Sequence, residues 1–109
     1  MFVVDSADKP EVESPFLGVG RKNLVWGECM LFTQIIMRQE SVVERHNHPY
    51  EQMGYCIQGA IELEVEDEKR ICRAGFAWTI PSGVRHAATA LENSILVEAF
   101  SPPRDDYKD

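Results

Sequence analysis

Between Gly59 and Asp67 the chain reads Ala-Ile-Glu-Leu-Glu-Val-Glu, with Ile61, Leu63 and Val65 alternating strictly with Glu62, Glu64 and Glu66. Successive side chains on a strand point to opposite faces, so this pattern describes a strand with one face buried and one wet. A polar turn, Asp67-Glu-Lys69, leads into a second candidate, Arg70-Ile-Cys-Arg73. Further strand-like runs are Cys29–Arg38, Gln52–Ile57, Phe76–Ile80, Val84–Thr89 and Ser94–Phe100. No segment carries a sustained 3.6-residue apolar period, so long helices are not expected. Short strands at this density predict an all-β domain, a sandwich or a barrel.

A length of 109 residues suits one domain with a single core. Residues 1–15 are polar, contain Pro10 and Pro15, and read as an arm able to pack on a partner subunit. Residues 16–104 form the expected all-β domain, and 105–109 an acidic tail beyond Pro102-Pro103. The net charge of −7 argues against a nucleic-acid backbone as partner, because phosphate binding needs a basic face. It leaves room for a small anionic ligand, which one well-placed arginine can hold. No apolar run is long enough for a membrane span, and Met1-Phe-Val-Val-Asp5 lacks the pattern of a signal peptide, so a cytoplasmic location is expected. Cys29, Cys56 and Cys72 are odd in number and contain no CxxC pair, which points to free thiols rather than a disulfide framework.

All three histidines fall inside two glycine-framed motifs. The first is His46-Asn-His48-Pro-Tyr-Glu-Gln52 with Gly59 beyond it, and the second is Gly75-(x5)-Pro81-Ser-Gly83-(x2)-His86. From average residue frequencies, the four fixed residues of the second motif should arise by accident in roughly one in a thousand chains of this length. Imidazole is the side chain best suited to holding a transition metal near neutral pH. If His46 and His48 lie on one strand, two apart, both can offer ring nitrogens to one ion. Pro49 forces a turn, after which Gln52 opens a strand expected to pair as a hairpin with the first and to face the same ion. His86 supplies the remaining ligand. The predicted site is thus one divalent transition metal held by His46, His48, Gln52 and His86; iron, nickel, zinc, manganese and copper all accept such a set.

These motifs and the strand pattern resemble the cupin superfamily. The resemblance implies a conical antiparallel β-barrel, a jelly roll, with the metal inside and dimerisation through the outer sheet. Three positions depart from the family pattern. Glu40 stands where a glycine is expected, so that turn must be made differently; Ala90 replaces a frequent asparagine, and Gln52 replaces the usual glutamate ligand. Glu51 is the alternative ligand, but the spacings to His48 and Gly59 fit Gln52. With only neutral ligands the ion keeps its full charge, which suits polarising an oxygen-rich substrate better than redox cycling.

Glu98 is the one charge in Ser94-Ile-Leu-Val-Glu-Ala-Phe100. It either shares an inward face with Leu96 and Phe100, where burial would raise its pKa, or points outward beside Arg85 or Arg104. Within the cupins, the stretches His46 to Tyr55, Ile80 to His86 and Glu98 to Tyr107 resemble the small pectin-degradation members, which convert 4,5-unsaturated uronates into linear keto forms. That resemblance implies Glu98 and Arg104 as catalytic residues and Phe100 and Arg104 as substrate contacts, with Glu98 where those relatives carry aspartate. The implied partners are a small anionic sugar-like substrate and a second copy of the chain. An iron-dependent cupin dioxygenase and a non-catalytic sugar- or metal-binding module are the alternatives. If Gln52 faces inward, Met53, Tyr55 and Ile57 form an apolar outer stripe.

Overall fold

The computed structural model describes residues 2–104. Its ten strands are β1 (Val12–Glu13), β2 (Val19–Trp26), β3 (Leu31–Met37), β4 (Val42–His46), β5 (Glu51–Gln58), β6 (Ala60–Val65), β7 (Glu68–Arg73), β8 (Ala77–Ile80), β9 (His86–Ala90) and β10 (Ser94–Ser101). A single 3-10 turn, Ser6–Asp8, capped by the Asp5 side chain, is the helical content of the described residues. The expected acidic tail lies outside them.

All pairings are antiparallel. One sheet has six strands in the order β1-β2-β3-β10-β5-β8, the other four in the order β4-β9-β6-β7. Residues from both sheets interleave in the core: Val19, Ile35, Met37, Cys56 and Leu96 from the first, Ile61, Leu63, Cys72 and Ala90 from the second. This is the jelly-roll barrel. Burying each large aliphatic side chain contributes about 1.5–3 kcal/mol against the chain's ordering entropy.

The glutamate-alternating segment forms β6, with Ile61 and Leu63 buried. It turns into β7 through Glu66-Asp67, where Glu66 adopts a left-handed φ of 51°. Gly59 makes the preceding turn with φ 95°, and a Cβ there would meet the Ser94 side chain and backbone. Glu40 corrects one expectation. Its φ of 71° is the left-handed conformation that a glycine would adopt, so the turn keeps the glycine geometry despite the side chain. It is held by Glu40 N–H donating to the Ala90 carbonyl at 2.8 Å and Gln39 N–H donating to Asn93 Oδ1 at 2.8 Å.

A second correction concerns the strand carrying the first histidine. The expected hairpin between it and the Gln52 strand does not form: β4 pairs with β9, while β5 pairs with β10 and β8. Between His46 and Glu51 the chain crosses from one sheet to the other. Pro49 has no N–H to continue a ladder, and the crossing is fixed by Gly83 N–H donating to the His48 carbonyl (2.9 Å) and Ser82 Oγ donating to that of Pro49 (2.6 Å).

Candidate metal centre

His46 closes β4 and His86 opens β9, and the two are direct cross-strand partners. His48 sits just past the end of β4 rather than on it. The crossing nevertheless turns its ring toward the others: centroids are 4.3 Å apart for His46 and His86, 4.9 Å for His48 and His86, and 5.5 Å for His46 and His48. One nitrogen from each ring lies within 4.8 Å of the others, so the three histidines are positioned to bind a metal.

The rings are oriented by the backbone. Each Nδ1 faces a carbonyl oxygen: His46 that of Glu44 at 2.8 Å, His48 that of Tyr50 at 3.0 Å, His86 that of Val84 at 3.0 Å. A carbonyl can only accept, so a neutral ring with its proton on Nδ1 satisfies this contact and turns its Nε2 lone pair toward the cluster, the arrangement found around ligating histidines. Burial lowers the pKa of His86 to about 4. Burial, followed by the charge of Arg104, also lowers that of His48. Neutral imidazoles are what a metal requires.

Gln52 is buried at the start of β5, and its Oε1 lies 3.0 Å from His48 Nε2; Glu51 is exposed. With the His48 proton on Nδ1, two lone pairs face each other across that gap, a repulsion that a shared cation relieves. The Gln52 amide is oriented from its other end, where Nε2 donates to Glu98 Oε2. The donor set therefore fits a metal ion.

Glu98 faces inward. Ser94, Leu96, Glu98 and Phe100 are all buried on one face of β10, and Glu98 is only 9% exposed. Burial pushes its carboxyl from an ordinary 4.5 up to about 7, against the opposing influence of the Gln52 amide, the Trp78 indole and Arg104. The Trp78 N–H lies near the carboxyl without full hydrogen-bond geometry. Gly54 makes room for that ring: it pairs with both Trp78 and Glu98, and a Cβ on it would lie 2.2 Å from the indole nitrogen. The Arg104 guanidinium carbon is 5.1 Å from the ring centres of both Phe100 and Tyr50, and Phe100 packs edge-on to His48 at 5.8 Å.

The residues named from sequence thus converge: His46, His86, Gln52, Glu98, Phe100 and Arg104 line one cavity of about 540 Å³, with His48 in contact with Gln52. Sequence reading missed Arg21, Trp78 and Phe16, which line the same space, and the Tyr50 ring against Arg104. Only Gly54, a glycine inside a strand, carried a legible hint of a close approach.

An antiparallel barrel holding three inward imidazoles defines a class, the small jelly-roll proteins built around an internal metal site. This chain belongs to the cupin family: the model of the cupin domain matches residues 32–99. It is 29% identical over 92 residues to the pectin degradation protein KdgF of Dickeya dadantii (strain 3937), covering 83% of this chain and 84% of that one. The structure of KdgF from Halomonas sp. superposes with a TM-score of 0.91 at 30% identity, covering 97% of each chain. An RmlC-like cupin from Shewanella frigidimarina NCIMB 400 shares the fold, with a TM-score of 0.94 at 21% identity over 99% of this chain and 96% of that one.

Proposed function

We propose that this cupin is a metal-dependent, non-redox enzyme converting a 4,5-unsaturated uronate, or a similar small sugar acid, into its linear keto form. The observation that carries the proposal is the buried Glu98 carboxyl, joined through Gln52 to the histidine cluster and set beside Phe100 in the cavity that Arg104 also lines. Similarity to a KdgF named for pectin degradation, and to the KdgF from Halomonas sp., supports a sugar acid as substrate.

His46, His48, His86 and Gln52 would hold the ion. When bound, a divalent ion supplies Lewis acidity toward the sugar's oxygens. Arg104 pairs with the substrate carboxylate, and its place between Tyr50 and Phe100 keeps the guanidinium plane fixed. Phe100 offers an apolar face to the sugar ring.

The substrate ring is a hemiacetal whose ring oxygen also belongs to an enol ether. Opening breaks the C1–O5 bond as the C1 hydroxyl loses its proton, forming the aldehyde at C1 and an enolate at C5; protonation at C4 turns the enolate into a ketone. No atom is gained or lost, since the proton leaving the C1 hydroxyl is balanced by the one added at C4. A carboxyl with a pKa of about 7 is able both to accept and to give that proton near neutrality. Glu98 takes this role, and the Gln52 N–H holds the carboxyl in place.

A homodimer is part of the proposal. Met53, Tyr55 and Ile57 stand 55%, 46% and 49% exposed on the outer face of β5, an apolar stripe that a second copy would cover.

The decisive assay follows the ultraviolet absorbance of a lyase-generated unsaturated uronate, under nitrogen, with metal-loaded protein. Wild type should remove the absorbance, and Glu98→Gln should slow it by about 10²-fold or more. Equal rates for the two proteins would remove Glu98 from the mechanism. Dependence on oxygen would replace the proposal with an oxygenase.

A further inference from the structure

β2 supplies a second guanidinium to the cavity. Val19 and Asn23, buried at 6% and 1% exposure, face inward, and Arg21 between them shares that face. Its cross-strand neighbours are Ile35 and, one strand further, Leu96, so its stem lies against apolar core while its head lines the same space as His46, His86 and Glu98. An inward arginine on a barrel wall is a costly choice for packing alone. A guanidinium also has five donors, so it can hold a protein partner and still offer N–H groups to a ligand.

Position separates it from Arg104. The Arg21 row of the sheet is four residues along β10 from the Phe100 ring under Arg104, roughly 13 Å, and two strands across, roughly 10 Å. Both arginines line the one cavity, from positions well apart on its wall. The cavity, about 540 Å³, is of the size that encloses ligands larger than one six-membered ring. A uronate has one carboxylate and occupies one arginine.

We propose that Arg21 forms a second carboxylate subsite in the cavity, so that the pocket takes a sugar acid carrying an anionic group at each end. This rests on the assignment of the cavity as a sugar-acid site, with Arg104 as its first anchor. In the unsaturated monouronate the same subsite would face the C1 end of the sugar.

Calorimetric titration with galactarate, a six-carbon dicarboxylate, and galacturonate, its monocarboxylate counterpart, tests the subsite without any turnover. Wild type should bind the diacid about tenfold more tightly, as one added charge-assisted contact implies. Arg21→Gln should erase that preference while leaving galacturonate within about twofold, and Arg21→Lys should retain part of it. Equal affinity of wild type for the two acids, or equal weakening of both by Arg21→Gln, would overturn the subsite; circular dichroism of both variants reports folding. The turnover assay above, run in parallel, separates the claims. Turnover without a diacid preference removes the subsite alone, and a preference without turnover removes the reaction alone.

Discussion

Glu98→Gln should make the metal-free protein more stable at alkaline pH, by an amount the structure sets. The carboxyl is held at about 7 in the fold against 4.5 outside it. Below pH 4.5 both states are protonated and Glu98 has no pH-dependent effect. Between 4.5 and about 7 the unfolded chain releases the proton while the folded one keeps it, so stability falls as pH rises. Above about 7 the loss is complete. A gap of about 2.5 pH units at about 1.36 kcal/mol each is ~3 kcal/mol. Glutamine has no such titration, and its Oε1 can still accept from the Gln52 amide. Urea unfolding of both metal-free proteins near pH 4.5 and pH 8 reads the difference directly. His86 and His48 titrate in both proteins alike, so the change in the difference isolates Glu98. The mutant should gain ~3 kcal/mol relative to wild type over that interval. A difference that stays constant with pH would show that the carboxyl is not buried in the form described.

Gln52→Ala should lose metal on elemental analysis while Glu51→Ala, altered at an exposed position, keeps it; loss only in the latter would transfer the ligand role to Glu51. Gly54→Ala should drive a methyl into the Trp78 indole, costing about 1–3 kcal/mol in urea unfolding and shifting indole fluorescence, and an unchanged emission would show that the ring is not seated on Gly54. Glu40→Gly should stabilise by about 0.5–1 kcal/mol, the relief of a left-handed residue less the added chain entropy; a loss of stability would mean the side chain contributes more than its backbone costs.

The strands easiest to find from sequence were those whose inner face is apolar and outer face polar, as in β6. β2 escaped because its inner face carries Arg21 and Asn23: a strand lining a functional cavity breaks the pattern that makes strands visible. The metal motifs were legible because ligating residues are rare and their spacing is fixed by turns. Their sheet pairing was not, since the short segment after His48 could equally close a hairpin or cross between sheets, and hydrogen bonds from Ser82 and Gly83, more than thirty residues away, decide it. Glu98 stood between two orientations until its cross-strand neighbours, Thr33 and Gly54, put it on the inner face. Trp78 carries no sequence signal of its own; its place beside Glu98 follows from the absence of a side chain at Gly54.

The central claim is that a positioned protein carboxyl, and not solvent, delivers the proton that completes ring opening. Turnover of the unsaturated uronate in deuterium oxide, with the product examined by proton NMR at early times, tests this most directly. Delivery from Glu98 should place one deuterium at C4 on a single face, giving one diastereomer, and Glu98→Gln should lose both the rate and the selectivity. An equal mixture of the two C4 diastereomers from wild type at an accelerated rate would contradict it.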